Sequence, residues 1–186
     1  MIKFKFCGIF FRISFLIIWF LVLILLNYGK YVFLSCIFAV SFHELFHLLL
    51  IFCFHAKPRK IEFNVGGLTI VSGVELPFWP NIAVLSAGVL GNFLLFLIFI
   101  FFNFRFFAFV NLGLAILNIL PYEKLDGGQL LELVLQKKFD LAISYRIIRI
   151  SSFCVLIILS ILGLILCVSF QNFTMLVVVF MLYFSS

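Results

Sequence analysis

Six apolar segments make up most of this chain, and the short stretches between them carry most of the charged side chains. Most of the segments reach the roughly 20 residues that cross a bilayer core as an α-helix. They cover residues 7–28, 31–54, 81–104, 106–121, 150–169 and 173–184. The sixth has only twelve residues, so it is either a tilted, membrane-thinning helix or a span whose continuation is missing. The pattern predicts an all-α polytopic membrane protein with six transmembrane helices.

Composition supports this class. The mean hydropathy is +1.35 and 66% of the residues are hydrophobic, whereas soluble domains contain about 45–50% apolar residues. We expect residues 1–186 to form one domain. The five cysteines lie mostly in apolar stretches without C-x-x-C spacing, which predicts free thiols. The net charge of +6 is dispersed at segment ends, a distribution that does not favour nucleic acid as a partner.

The basic residues instead predict an orientation. If the N-terminus is cytosolic, eleven Lys and Arg residues fall on the cytosolic side, and only Lys30 and Arg105 fall outside. This asymmetry follows the positive-inside rule and predicts that both termini are cytosolic.

Polar residues inside the second apolar segment are the strongest candidates for chemistry. His43, Glu44 and His47 form an H-E-x-x-H sequence there, where a charged group costs at least about 2.5 kcal/mol. On a helix, positions i and i+4 share a face, so both imidazoles can bind one metal ion with Glu44 beside it. The alternative is a pair of buried histidines hydrogen-bonded to neighbouring helices.

A catalytic zinc ion needs a third protein ligand. His55, Cys36 and Cys53 lie more than one helical turn from the nearer histidine, so we interpret them as a solvated loop histidine and two buried thiols. Asp126 is the remaining candidate. The fourth segment runs toward the cytosol, as the second does, and ends near residue 121, so the following stretch can return Asp126 to the depth of the histidines.

The residues that follow Asp126 also carry a prediction. Gly127 and Gly128 are expected to permit a tight turn that aims the carboxylate. The alternative reading of Asp126 is an N-cap or turn residue that opens a helix over residues 129–136.

Two stretches between the spans predict interfacial structure. Residues 61–71 include β-branched residues and alternate between apolar and polar side chains, and Gly66 and Gly67 interrupt the run. This pattern predicts a short β-hairpin between helices 2 and 3. The free edge of the hairpin could pair with an unwound substrate strand. The alternative is an interfacial loop anchored by Phe78 and Trp79. Residues 137–149 are basic with helical spacing of apolar residues, which predicts an amphipathic surface helix against anionic lipid.

Together, two motifs resemble the site-2 protease family of intramembrane metalloproteases, peptidase family M50. One is H-E-x-x-H, and the other is N-x-x-P-x-x-x-L-D-G, which the chain matches at Asn118, Pro121, Leu125, Asp126 and Gly127. Residues 87–92 are similar to a third stretch, A-G-P-x-x-N. Phe46 and Val89 depart from the family pattern, since a small residue and a proline are usual there.

The resemblance implies one Zn²⁺ ion held by His43, His47 and Asp126, with Glu44 as the catalytic base. It also implies an integral protein of a bacterial cytoplasmic membrane, with its site near the cytosolic face and a membrane-anchored protein as substrate. A regulatory membrane partner is a further expectation. The short cytosolic loop most resembles the sporulation-type branch (stage IV sporulation protein FB), whose members process a membrane-tethered transcription-factor precursor.

Two asparagines are candidates for contacts to substrate or to an oxyanion, namely Asn118 and Asn92. For each, the alternative is a hydrogen bond between helices.

Two other functions compete with proteolysis. A membrane metal carrier would need polar groups at successive depths, but the extracellular halves of the spans are almost wholly apolar. An inactive binding partner would have no need of Glu44.

Overall fold

The computed structural model describes residues 2–6, 9–13, 15–56, 58–64, 67–72 and 76–185. Its helices are α1 (Phe15–Cys53), α2 (Phe78–Phe101), α3 (Arg105–Ile119), α4 (Asp126–Lys138), α5 (Leu141–Phe170) and α6 (Thr174–Ser185). Its strands are β1 (Ile2–Phe6), β2 (Ile9–Ile13), β3 (Pro58–Asn64) and β4 (Gly67–Ser72).

Three of these helices are long and apolar enough to cross a membrane. They comprise Leu21–Cys53 of α1, Phe78–Phe101, and Leu141–Ser169 of α5. The apolar helices α3 and α6 are shorter, with 15 and 12 residues. Many large apolar side chains on these helices are exposed, as expected for surfaces that face lipid rather than water.

Helix α1 contains the first two predicted spans, separated by a sharp break at Gly29. The φ of Gly29 is 77° and its ψ is 177°, a left-handed conformation that glycine adopts without a steric penalty. The predicted start of the first span is wrong, because residues 9–13 form strand β2 and the helix begins at Phe15. Short apolar runs rich in Phe and Ile are compatible with either structure, so hydrophobicity alone does not separate them.

The predicted surface helix over residues 137–149 is also wrong. Lys137 and Lys138 end helix α4, a break follows at Phe139 and Asp140, and the remaining residues are the first turns of the 30-residue helix α5. Polarity changes near residue 150, but no glycine or proline stops the helix there, so it continues into the apolar span.

The four strands form one sheet in the order β1-β2-β3-β4. Strands β3 and β4 pair antiparallel in the segment where the sequence predicts a hairpin, and β3 also pairs in parallel with β2. Gly67 begins β4, whereas Gly66 lies outside the described residues. The sequence analysis does not predict β1 or β2. Strand β1 precedes the predicted first span, and β2 lies within it.

Helix α2 lies at the centre of the bundle, because it packs against α1, α3 and α4. Helix α5 packs against α4 and α6. A buried apolar cluster joins this second group of helices to the loop between α3 and α4; it contains Tyr122, Leu125, Val155, Leu159 and Leu182. The loop that leads to Asp126 is therefore held inside the protein.

Candidate active site

The H-E-x-x-H residues lie on helix α1 and are buried. Relative exposure is 3% for His43, 7% for Glu44 and 6% for His47. The helix places the two imidazoles one turn apart with their Nε2 atoms 3.2 Å from each other. Both nitrogens therefore point at a common position inside the protein.

Asp126 reaches the same position from helix α4. Its Oδ2 lies 3.0 Å from His43 Nε2 and 3.1 Å from His47 Nε2. The helix cap is Leu125, which makes no side-chain cap hydrogen bond. Asp126 is thus the first residue of α4 but directs its carboxylate toward the histidines, whereas an N-cap side chain would bond to its own helix.

This group has the donor set and the space that a metal ion requires. One ligand atom from each of His43, His47 and Asp126 lies within 4.8 Å of the others, and two imidazoles with one carboxylate are a set that zinc binds in enzymes. Gly88 of α2 lies directly against the imidazoles. A Cβ at this position would overlap His47 Nε2 and lie 2.6 Å from His43 Nε2, so the absence of a side chain keeps the ligand face open.

The second nitrogen of His47 is held by backbone. Its Nδ1 lies 2.7 Å from the carbonyl oxygen of Val84 on α2, and because a carbonyl can only accept, the proton resides on Nδ1. The lone pair of Nε2 is then available at the ligand face. Helix α2 therefore orients one imidazole and leaves room for an ion beside it.

Helices α5 and α6 hold the loop that carries Asp126. The Ser151 hydroxyl donates to the carbonyl of Pro121 at 2.9 Å, and the Glu123 amide donates to Ser152 Oγ at 2.9 Å. The Tyr122 hydroxyl donates to the carbonyl of Leu182 at 2.6 Å. These bonds restrict the chain just before the carboxylate.

At Gly127 and Gly128, the backbone of α4 lies close to the backbone that precedes it. Within the described residues the only glycine with positive φ is Gly29, so the predicted tight turn is not the reason for these two glycines. A Cβ on Gly127 would overlap the carbonyl of Ile119, and one on Gly128 would overlap the carbonyl of Tyr122. Any side chain here would push the start of α4 away from the preceding loop.

Ser152→Ala is expected to lower the free energy of unfolding by about 1–3 kcal/mol, because it leaves the Glu123 amide without its acceptor. Thermal unfolding in detergent measures this change. Ser160→Ala is the control, since that hydroxyl only bonds to Leu156 of its own helix. Equal losses for the two variants would contradict a special role for Ser152.

The two asparagine candidates have different surroundings. Asn118 is 5% exposed and its Nδ2 donates to Leu114 of its own helix at 3.1 Å. Asn92 is fully buried and its Nδ2 lies 3.5 Å from the carbonyl of Ala39 on α1, which matches the alternative of a bond between helices. A contact of either side chain with substrate or an oxyanion stays a prediction.

The remaining histidine, two of the cysteines and Phe46 lie outside the group formed by His43, His47 and Asp126. His55 is exposed in the turn after α1, with φ of 55°. Cys36 and Cys53 are free thiols, although Cys36 is only partly buried and Cys53 is exposed. The Phe46 ring lies where a Cβ of Gly91 would be, so a glycine on α2 accommodates the large residue that departs from the family pattern.

The groups that position His43, His47 and Asp126 are less visible in the sequence than these three residues are. Val84 acts through a backbone carbonyl, which no side-chain pattern reveals. Gly88 falls in the stretch similar to A-G-P-x-x-N, and that likeness is its only sequence signal. Ser151 and Ser152 have no motif, and their role depends on helix α5 packing against the loop.

Comparison with known proteins agrees with this arrangement. The model of peptidase family M50 matches residues 101–162, a range that contains Asp126 and the second motif but not H-E-x-x-H. The fold is similar to that of the site-2 protease from Methanocaldococcus jannaschii, with a TM-score of 0.77 and 24% identity, over 99% of this chain and 92% of that one. No curated protein matches the chain. The structural likeness shows a shared fold of membrane helices.

Proposed function

We propose that this protein is an intramembrane zinc metalloprotease, which hydrolyses a peptide bond in or near the membrane segment of a membrane-anchored protein. The observation that carries the proposal is the convergence of His43, His47 and Asp126 beside Gly88, with Glu44 buried next to His43 on α1. The partial match to family M50 and the shared fold support it.

In the proposed mechanism, His43, His47 and Asp126 hold one Zn²⁺ ion. When bound, zinc would supply a Lewis acid that acidifies water and polarises a carbonyl. Glu44 accepts the proton of the attacking water and delivers it to the leaving amine. Burial of Glu44 keeps this proton transfer away from bulk solvent. The hydrogen bond that His47 Nδ1 donates to the Val84 carbonyl holds that imidazole in one orientation.

The sheet supports a proposal for how an unwound substrate binds. A helical substrate hides its peptide bonds in intrahelical hydrogen bonds, so it must unwind before cleavage. Strand β4 is at an edge of the described sheet, and an extended segment can add to such an edge by backbone pairing. We propose that the edge of β4, beginning at Gly67, binds the unwound segment. Asn118 and Asn92 remain candidates for substrate or oxyanion contacts.

The charge pattern supports a proposed orientation in a bacterial cytoplasmic membrane, with cytosolic termini and a site near the cytosolic face. The Tyr28 hydroxyl donates to Asn172 Oδ1 at 2.9 Å, so two segment ends that the positive-inside rule assigns to the outer face are in contact.

A membrane-tethered transcription-factor precursor, as in the sporulation-type branch, is our candidate substrate. A regulatory membrane partner is compatible with this role.

Asp126→Ala tests the metal site. Purified wild-type protein should contain about one zinc ion per chain, as catalytic sites of this donor set do. The variant should bind zinc about 100-fold more weakly or worse, since even residues that only support a ligand contribute 10–100-fold. Chelator competition followed by metal analysis measures this. Asp140→Ala, at an exposed residue between α4 and α5, should bind as wild type.

Cleavage of tagged single-span membrane proteins in vesicles distinguishes the proposed enzyme from a metal carrier. The panel should include candidate transcription-factor precursors. Zinc binding without cleavage of any member, together with zinc uptake into the vesicles, would favour the carrier and contradict the protease.

A further inference from the structure

The two histidines of the site differ in how their outer nitrogens are held. His47 Nδ1 donates to Val84. His43 Nδ1 is buried and has no hydrogen-bond partner among the described residues. Imidazoles that ligate a metal almost always donate their other N–H to a carboxylate, a carbonyl or water, and this bond sets the tautomer. His43 therefore lacks a partner that its proposed role requires.

Asn92 has a matching unused acceptor. Its side chain is fully buried, and its Oδ1 has no partner in the described part of the chain. Its Nδ2 has only the long 3.5 Å contact with Ala39, which leaves the amide group free to adjust. Buried polar atoms are rarely left unpaired in native proteins, so a donor for this oxygen is expected nearby.

The helix register places these two groups about one turn apart on facing helices. Val84, Gly88 and Asn92 are spaced by four residues and share one face of α2. The Val84 carbonyl contacts His47, Gly88 contacts both imidazoles, and Asn92 contacts Ala39, one turn before His43. The two helices are thus antiparallel at the site.

Side chains on a helix lean toward its own N-terminus. Asn92 therefore leans back toward the level of Gly88, and His43 leans toward the level of Ala39. Because the helices run in opposite directions, the two side chains lean into the same space between α1 and α2. The face of α2 would then support His47 through Val84 and His43 through Asn92, on either side of the glycine.

We propose that Asn92 is a positioning residue whose Oδ1 accepts the Nδ1 proton of His43, directly or through one buried water. This bond selects the tautomer in which His43 Nε2 carries the lone pair at the ligand face. The inference rests on the proposed zinc site, but the hydrogen bond itself involves only this chain and is measurable without metal.

Two substitutions at Asn92 separate this role from simple packing. Asn92→Leu keeps the approximate volume and removes the acceptor, whereas Asn92→Asp keeps the acceptor and adds a charge. If Asn92 holds His43, the Leu variant should bind zinc 10–100-fold more weakly, and the Asp variant should bind within about threefold of wild type or more tightly. If Asn92 only fills space, the order reverses, because Leu suits an apolar interior and an unpaired carboxylate does not.

Asn111→Leu is the matched control. Asn111 is also fully buried with an unpartnered Oδ1, but it lies on α3 and its Nδ2 donates to Phe107 of the same helix. This variant should bind zinc as wild type does. A loss equal to that of Asn92→Leu would overturn the assignment.

A spectroscopic measurement tests the bond independently of the metal. The chain has only three histidines, so ¹⁵N-histidine labelling gives few side-chain signals, and His43→Ala identifies the one required. In metal-free protein, Asn92→Leu should shift the Nδ1 signal of His43 and leave that of His47 unchanged. An unshifted His43 signal would overturn the inference. Failure of the wild type to bind zinc would instead contradict the proposed function and leave this result intact.

Discussion

Glu44→Gln is expected to abolish proteolysis while zinc binding persists. Gln has nearly the same shape but cannot accept the proton of the attacking water, and the loss of a general base costs about 10²–10⁴ in rate. Glu44 is not among the three residues whose ligand atoms converge, so metal content should stay near that of wild type. Cleavage of a tagged single-span substrate in vesicles and metal analysis of the same preparation measure both properties.

Glu132→Gln is the matched control for this substitution. Glu132 lies on α4 and accepts a hydrogen bond from the side chain of Gln136 at the surface. This variant should cleave at the wild-type rate. If Glu44→Gln protein processed the substrate at a rate close to that of wild type, Glu44 would not be the base and the mechanism would be wrong.

Gly88→Ala is expected to weaken zinc binding strongly and to lower the proposed proteolytic activity. The added Cβ would overlap His47 Nε2 and press on His43 Nε2, and α2 cannot retreat easily because it packs against α1, α3 and α4. We expect zinc affinity to fall by about 100-fold or more, beyond the range typical of supporting residues. Chelator competition measures the affinity.

Gly113→Ala provides the comparison. A Cβ on Gly113 of α3 would have no heavy atom within 4 Å, and alanine is favoured over glycine in a helix by up to about 1 kcal/mol. This variant should bind zinc normally and have an equal or higher Tm. Retention of zinc by Gly88→Ala would show that α2 does not border the ion, whereas a large fall in Tm for that variant alone would point to a packing defect.

Local patterns in the chain were sufficient to place the two histidines and most helices. His43 and His47 are four residues apart within one apolar helix, so covalent spacing and helix periodicity alone place them on one face. Asp126 required a further step, because only the count of spans and their direction bring it back to the same leaflet. In the structure its carboxylate lies within 3.1 Å of both imidazoles.

Sequence periodicity was least reliable at element boundaries. The start of the first span and the surface helix over 137–149 were wrong because apolar and amphipathic runs have no unique structure without a stop signal. Strand β2 pairs with β3, a contact between residues about 50 positions apart, and β1 joins the sheet through β2. Such pairings are not encoded in any local window.

The amino-acid sequence alone established the membrane class, the buried H-E-x-x-H helix and the acid that can join it, because these follow from hydropathy and spacing within short segments. Only the tertiary structure shows which groups surround His43, His47 and Asp126. Gly88, the Val84 carbonyl and the serines of α5 act through contacts between helices, and a contact of this kind depends on which faces meet and in what register. The same packing buries Asn92 between α1 and α2 with an unpartnered Oδ1, which is the observation behind its proposed role as the partner of His43.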